Sequence, residues 1–282
     1  MKPFTLRLFF PDGDPYSIKV AKLGNWSGVG VMFPRALLGE ARKRPELGRP
    51  GVYLLLGEDE DGFPELYIGE ADDVGKRIAQ HDQGKDFWTH AVVFTASEDE
   101  GLDKAQTRYL EARLIELAKS RGQAKIKNQN QGRLPLLSEM DRADAEQFLE
   151  NLLLCLPPLG VSFLGPKSPK KQAGAQRFYL SSKGVHAEAE LTAEGFVVKK
   201  GSQAVLKPTK SLPQSYQRLR QRLVEAGILK IERDHYVFTR DYVFSSPSAA
   251  AAVVRGGSTQ GTTYWKTKDG TTLKEWLASS SA

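Results

Sequence analysis

The chain has 282 residues, 40% hydrophobic and 26% charged, too long for one ordinary small domain and apolar enough to build real cores in two or three. Its net charge of +6 hides an asymmetry, because residues 1–150 carry 21 Lys/Arg against 25 Asp/Glu (−4) and residues 151–282 carry 19 against 9 (+10). With one cysteine, four histidines and no apolar run long enough to span a membrane, zinc-finger and iron–sulfur spacings and a membrane span are all excluded.

The amino terminus, "MKPFTLRLFFPDGDPYSIKV", lacks a long apolar segment with a small-residue cleavage site, so the expected residence is cytoplasmic. Residues 4–10 and 17–22 read as strands around the turn "PDGDP", forming a hairpin arm over 1–45. "FPRALLGEARKR" (33–44) reads as a short helix. "GVYLLLGEDEDGFPELYIG" (51–69) reads as two strands around an acidic turn, with Tyr53 and Tyr67 in matching settings beside glycines. Asp72 or Asp73 can cap the next helix, which runs to about His81. "FWTHAVVFTA" (87–96) is a strand, and 101–122 is the clearest helix, with Leu110, Leu114 and Leu117 in one stripe and Gly122 after it. A helix over 139–156 ends at Pro157-Pro158, and Cys155 within it reads as a small buried hydrophobe. The expected fold class is α+β: a small antiparallel sheet flanked by helices over 46–157.

"GPKSPKKQAG" (165–174) has linker composition. A basic α+β region is expected over 175–244, with strands at 176–181 and 194–199. Its helix, 212–226, places Arg218, Arg220 and Arg222 on exposed turns, and "HYVFTRDYVF" follows as one strand. The tail, 245–282, begins as a capped, Ala-rich helix and becomes a hairpin rich in Gly, Thr and Trp. Arg255 and Lys266, interleaved with Tyr264 and Trp265, can grip a phosphate backbone and stack on a base. Packing of Trp265 in a small core is the competing expectation.

Chemistry concentrates in the first half. Val74, Arg77, Ile78 and His81 follow one another at i, i+3, i+4 and i+7 and share a helix face. Glu111 shares a face with Leu114, Ile115 and Ala118. Taken singly, each has a bland reading: sheet tyrosines that pack, an arginine that snorkels, a satisfied histidine, a glutamate paired with Arg108 or Lys104. Together they suit phosphodiester hydrolysis, in which a carboxylate holds a hard cation, an arginine holds phosphate, and tyrosine or histidine moves protons.

Gly51-Val52-Tyr53 and Tyr67-Ile68-Gly69 resemble the two triplets that name the GIY-YIG nuclease family. Arg77, ten residues after Tyr67, matches the family's helical arginine; His81 and Glu111 match its His/Tyr position and its metal-binding glutamate. In "KNQNQG", Asn128 or Asn130 is similar to the asparagine that closes the motif set. Valine in place of isoleucine and a longer turn between the triplets are the departures, and the likeness covers about 49–130. It implies one divalent ion, Mg2+ or Mn2+, on Glu111, charge neutralisation by Arg77, water deprotonation by Tyr53 with help from His81 and the metal, and an orienting role for Tyr67. The last forty residues resemble a domain of unknown function appended to nuclease-family and restriction-associated proteins.

The expectation is therefore a metal-dependent DNA endonuclease with a basic targeting region carrying Arg218, Arg222, Arg255, Lys266 and Trp265. The alternative is an inactive nuclease fold that binds nucleic acid. Neither charge nor site residues separate DNA from RNA.

Overall fold

The computed structural model describes residues 3–96, 101–129, 134–166 and 176–280. They form two compact units, Met1–Lys167 and Ser168–Ala282. The division falls inside the expected linker, whose residues 167–174 lie outside the described residues, as does Asn130. Among the described residues no helix is long and apolar enough to cross a membrane.

The first unit runs β1 (Leu6–Phe9), β2 (Lys19–Leu23), β3 (Gly28–Pro34), α1 (Leu38–Ala41), β4 (Gly51–Glu58), β5 (Pro64–Ala71), α2 (Val74–Asp82), β6 (Trp88–Ala96), α3 (Lys104–Arg121), β7 (Lys125–Ile126) and α4 (Glu139–Cys155). Its sheet has seven strands in the order β1-β2-β3-β6-β4-β5-β7. Every neighbouring pair is antiparallel except β5 and β7. The expected sheet was smaller because "GVGVMFP" did not read as a strand. Glycine weakens a strand's local signal, yet at Gly30 a Cβ would lie 2.7 Å from the Phe94 ring, so the packing of β3 on β6 demands it. Through β3 the hairpin expected as an arm becomes the edge of the main sheet.

Both faces of the sheet are covered, which is why its central strands read as continuous apolar runs. Val52, Leu54, Ile68 and Phe94 pack on Leu110, Leu114 and Ile115 of α3 and on Leu149, Leu152 and the buried Cys155 of α4. On the other face Tyr53, Leu55 and Val93 pack on Val74 and Ile78 of α2 and on α1. The helices start where the sequence marks them. Asp73 accepts from the Lys76 N–H, Asp103 forms a reciprocal box with Gln106 and Gly122 ends α3 at φ 61°, and Ser138 accepts from the Asp141 N–H. Each cap satisfies N–H or C=O groups that a helix end leaves open.

The second unit runs β8 (Arg177–Ser182), β9 (Val185–Thr192), β10 (Gly195–Val198), β11 (Gln203–Val205), α5 (Gln214–Glu225), β12 (Leu229–Glu232), β13 (His235–Phe238), β14 (Tyr242–Phe244), α6 (Pro247–Arg255), α7 (Gly261–Tyr264) and α8 (Leu273–Ser280). Two antiparallel sheets, β14-β10-β9-β8 and β11-β13-β12, enclose one core that includes Phe178, Phe196, Phe238, Val253, Trp265 and Leu273. Regions 175–244 and 245–282 thus share a core instead of folding apart. "HYVFTRDYVF" supplies two strands, one to each sheet. The expected terminal hairpin reduces to a turn closed by the Lys266–Thr272 bridge, after which α8 begins.

Two expectations for exposed groups are corrected here. Trp265 is fully buried, edge-on to Phe196 at 5.0 Å, with its indole N–H donating to the Pro247 carbonyl at 3.0 Å. It cannot stack on a base. Arg220 is also buried, and its guanidinium donates to the carbonyls of Val253, Val205 and Leu206. A guanidinium can be hidden when main-chain acceptors replace its water.

Candidate functional site

The antiparallel register sets Tyr53 opposite Gly69 and Leu55 opposite Tyr67. The two phenols are therefore diagonal neighbours on one face, with ring centroids 6.3 Å apart. Gly69 is required by this arrangement: a Cβ there would overlap the hydroxyl and ring of Tyr53.

From α2, His81 closes over the pair. Its Nε2 lies 2.8 Å from the Tyr53 hydroxyl, and its ring meets Tyr67 edge-on at 5.0 Å. Val74 and Ile78, on the same helical face, are fully buried and fix the helix against the sheet. Arg77 differs from expectation in being exposed at the flank of that face, with a hydrogen bond of 3.0 Å to the Gln80 side chain. Its positive charge still reaches Tyr53, Tyr67, His81 and Glu111. The guanidinium stands open to solvent there, with a hydrogen bond to Tyr53 as well as to Gln80.

Glu111 projects half-buried from α3. Lys104 and Arg108, its expected ion-pair partners, instead lie 2.8 and 3.8 Å from Glu70. Burial, and next the negative charge of Glu70, push the Glu111 carboxyl up to about 7. Burial, followed by the charges of Arg77 and Lys85, holds His81 down to about 4. Burial raises both phenols, and Tyr53 sits far above the ordinary tyrosine value despite Arg77. Near neutral pH the cluster thus holds a protonated Tyr53, a neutral His81 and a half-ionised Glu111. A free Tyr53 phenolate, the base expected from the sequence, does not suit this environment. The phenol is instead tied to the imidazole, with the donor set by the histidine tautomer.

Among the described residues no group of three or more His, Cys, Asp or Glu could hold a metal by protein ligands alone. A hard divalent cation can be held by one carboxylate, completing its shell with waters and substrate phosphate. Glu111 fits that requirement: it is an oxygen donor whose charge is raised in energy by burial and by Glu70, while Lys104 lies on Glu70 at 2.8 Å.

Asn128 acts on the scaffold. Its Oδ1 accepts from the Ile68 N–H at 3.0 Å and its Nδ2 donates to the Ile68 carbonyl at 2.7 Å. The β5–β7 ladder stops at Leu66–Ile126, so this side chain satisfies the strand edge between Tyr67 and Gly69. Two further residues belong here that the sequence reading did not single out. Glu70 follows the second triplet directly, and Lys85, one turn beyond His81, places its ammonium 4.3 Å over the Tyr67 ring. Their helical or strand spacing from picked residues was the available signal. A groove of about 390 Å3 alongside is lined by Glu70, Asp72, Asp73, Lys76, Arg77 and Lys104.

In the second unit Arg218 is exposed on α5, and Arg222 is half-buried with its charge acting on Tyr242. Lys266 is exposed and its backbone pairs with Tyr179. Arg255 is half-buried, with its guanidinium 3.5 Å over the Tyr264 ring.

A family model described as a domain of unknown function, DUF4357, matches residues 178–277. The match spans β8 to α8 and coincides with the single core of the second unit. No curated protein and no solved structure matches the chain.

Proposed function

We propose that the first unit is a nuclease of the GIY-YIG type that hydrolyses phosphodiester bonds in DNA with Mg2+ or Mn2+, in restriction or defence. The observation that carries this reading is the 2.8 Å bond between Tyr53 and His81 inside a cluster that also receives the charges of Arg77 and Glu111. Packing alone gives no reason to gather two phenols, an imidazole, a guanidinium and a carboxylate whose proton affinity is raised.

When bound at Glu111, a divalent ion supplies Lewis-acid stabilisation of charge at the scissile phosphate. The residues supply the rest. Arg77, exposed at the mouth, binds a non-bridging oxygen and stabilises the charge that develops in the transition state. Tyr67, fixed between Lys85 and His81, orients the phosphate or the water. The attacking water gives its proton to the Tyr53 oxygen while Tyr53 passes its own to His81 Nε2, so no free phenolate forms. The water oxygen bonds to phosphorus, the bond to the leaving 3′ oxygen breaks, that oxygen takes a proton from solvent water, and His81 afterwards returns its proton to solvent. Burial, and next Arg77 and Lys85, make imidazolium costly in the resting site, and the negative charge gathering on the phosphate offsets that cost.

Incubation of purified protein with supercoiled plasmid and Mg2+ or Mn2+ tests the proposal, with an RNA substrate in parallel. Wild type should nick the plasmid and Glu111→Ala should not. Equal cleavage by both proteins would remove Glu111 from the mechanism. Tight DNA binding without cleavage would replace the enzyme by a nucleic-acid-binding protein on the same fold.

A further inference from the structure

One end of the second unit concentrates positive charge that the core does not explain. The strand registers define that end. The β8–β9 turn, residues 183 and 184, follows the Ser182–Val185 pair, and the β12–β13 turn, residues 233 and 234, follows the Glu232–His235 pair. Gln203 accepts from the His186 N–H at 3.0 Å and reaches His235 Nε2 at 3.1 Å, which ties the two hairpins side by side. The chain leaving β11 passes along the same end, where the Thr209 N–H donates to the Gly256 carbonyl at 2.7 Å, just after α6. Lys183, Lys207, Lys210, Arg233 and Arg255 therefore lie at one end of the fold, against the carboxylates Glu232 and Asp234, the latter held by His235 at 2.9 Å.

The rest of the unit handles charge differently. On the outer face of the four-stranded sheet, Arg177 and Lys199 are matched by Glu188, Glu190 and Asp241 within 2.5–3.5 Å. At the basic end two cations are instead brought together, because Lys183 Nζ donates to the Arg255 carbonyl at 3.2 Å. Arg255 is held in place by Tyr264 beneath its plane and by Ser182 Oγ, 3.1 Å from Nε. Among the described residues that is the guanidinium's one hydrogen bond, so its terminal N–H groups remain available. Tyr264 is 40% exposed beside it.

The backbone adds a second, independent sign. Among the described residues three non-glycine residues have positive φ, and two of them are Lys183 (φ 53°) and Arg233 (φ 57°), each first in a two-residue hairpin turn. Asn, Asp or Gly is the easy choice there, and a long basic side chain gains nothing from the conformation. Placing cations at both tips costs stability and returns none through packing, since both side chains are exposed.

We propose that this end is a phosphate-backbone grip for nucleic acid. Lys183, Arg233 and the β11–α5 loop lysines contact successive phosphates, and the Arg255–Tyr264 stack meets the sugar-phosphate edge or an unpaired base. The hydroxyls of Thr209 and Ser211, 3.0 Å apart there, with the Ser258 N–H donating to the Ser211 hydroxyl, offer further donors. Direct contact with phosphates makes the recognition independent of sequence. The inference stands apart from the site in the first unit.

The test uses the full chain carrying Glu111→Ala in chelator, so that no cleavage intervenes, with fluorescence anisotropy of a short labelled duplex and a labelled single strand across a salt series. The variant Lys183→Asn/Arg233→Asn removes two cations and installs the residue the turns prefer, so its thermal stability should hold or rise. Its affinity should fall about tenfold, and its log K against log salt slope should shrink by about 2, near 0.9 per lost contact on duplex. Lys274→Glu on α8 controls for net charge and should stay within about twofold. Unchanged affinity in the double variant, or an equal loss in the control, would overturn the proposal. So would binding to phosphatidylserine vesicles with none to either nucleic acid. Binding that behaves as expected while wild type fails to nick plasmid would leave this grip standing and remove only the nuclease.

Discussion

Substituting Glu111→Gln removes a charge while keeping the shape of the side chain, and it should move stability and activity in opposite directions. Burial beside Glu70 lifts the carboxyl from 4.5 to about 7. The unfolded chain solvates the anion freely, so ionisation above that range favours unfolding. At 1.36 kcal/mol per pH unit such a shift converts to about 3 kcal/mol, and partial solvent access to the half-buried group reduces it to about 1–2 kcal/mol. The folded-state value is the higher one. The favourable contribution is therefore complete below about pH 4.5 and is lost as pH rises through about 7. Glutamine escapes that loss. Near pH 8 the variant should be more stable by about 1–2 kcal/mol, a rise of several degrees in Tm, and near pH 4 the two proteins should coincide. Nicking should disappear at both, because a neutral amide does not replace a carboxylate under a hard cation. Urea unfolding at the two pH values, with plasmid nicking on the same samples, measures both effects. A variant that is no more stable near pH 8, or that still nicks, would refute the electrostatic reasoning.

Other outcomes follow from the same geometry. Gly69→Ala should force its methyl against the buried Tyr53 phenol, lowering stability by about 1–3 kcal/mol and slowing nicking, as thermal unfolding and a nicking time course would record. Asn128→Ala should leave the Ile68 N–H and C=O without their partner, costing about 1–3 kcal/mol, and should speed hydrogen exchange at the Ile68 amide. At limiting Mg2+ the nicking rate should rise with pH until about 7, as Glu111 ionises, and then level. Saturating metal should move that bend to lower pH, because the ion competes with the proton. His81, neutral above about 4, should add no further step between those values, and a bend that ignores metal concentration would point to another group.

Much of the candidate site was legible because its signals are local. The spacing of Val74, Arg77, Ile78 and His81 survives in α2, and Asp73, Asp103 and Gly122 bound their helices as the sequence marks them. Other features depend on partners far along the chain. Taken singly, Glu111 has a bland reading as the mate of Lys104 or Arg108, but Glu70 takes both, and that comes from the packing of α3 beside β5. Arg220 sits among arginines that read as one exposed row, and its burial depends on carbonyls supplied by β11 and α6. Trp265 carries no local mark that distinguishes a core indole from a stacking one; Phe196 and Pro247 decide it.

The sequence by itself determined which polar residues share a helix face or flank the two triplets, where helices begin and end, and that the second half is basic, since capping, periodicity and charge act over a few residues. Only the tertiary structure decided which side chains meet. The Tyr53–Gly69 register brings a phenol across β5 to a histidine 28 residues away, and one core joins β8 to α8. Those contacts are made between segments distant in the chain, and their free energy exists only once burial has removed the water between them.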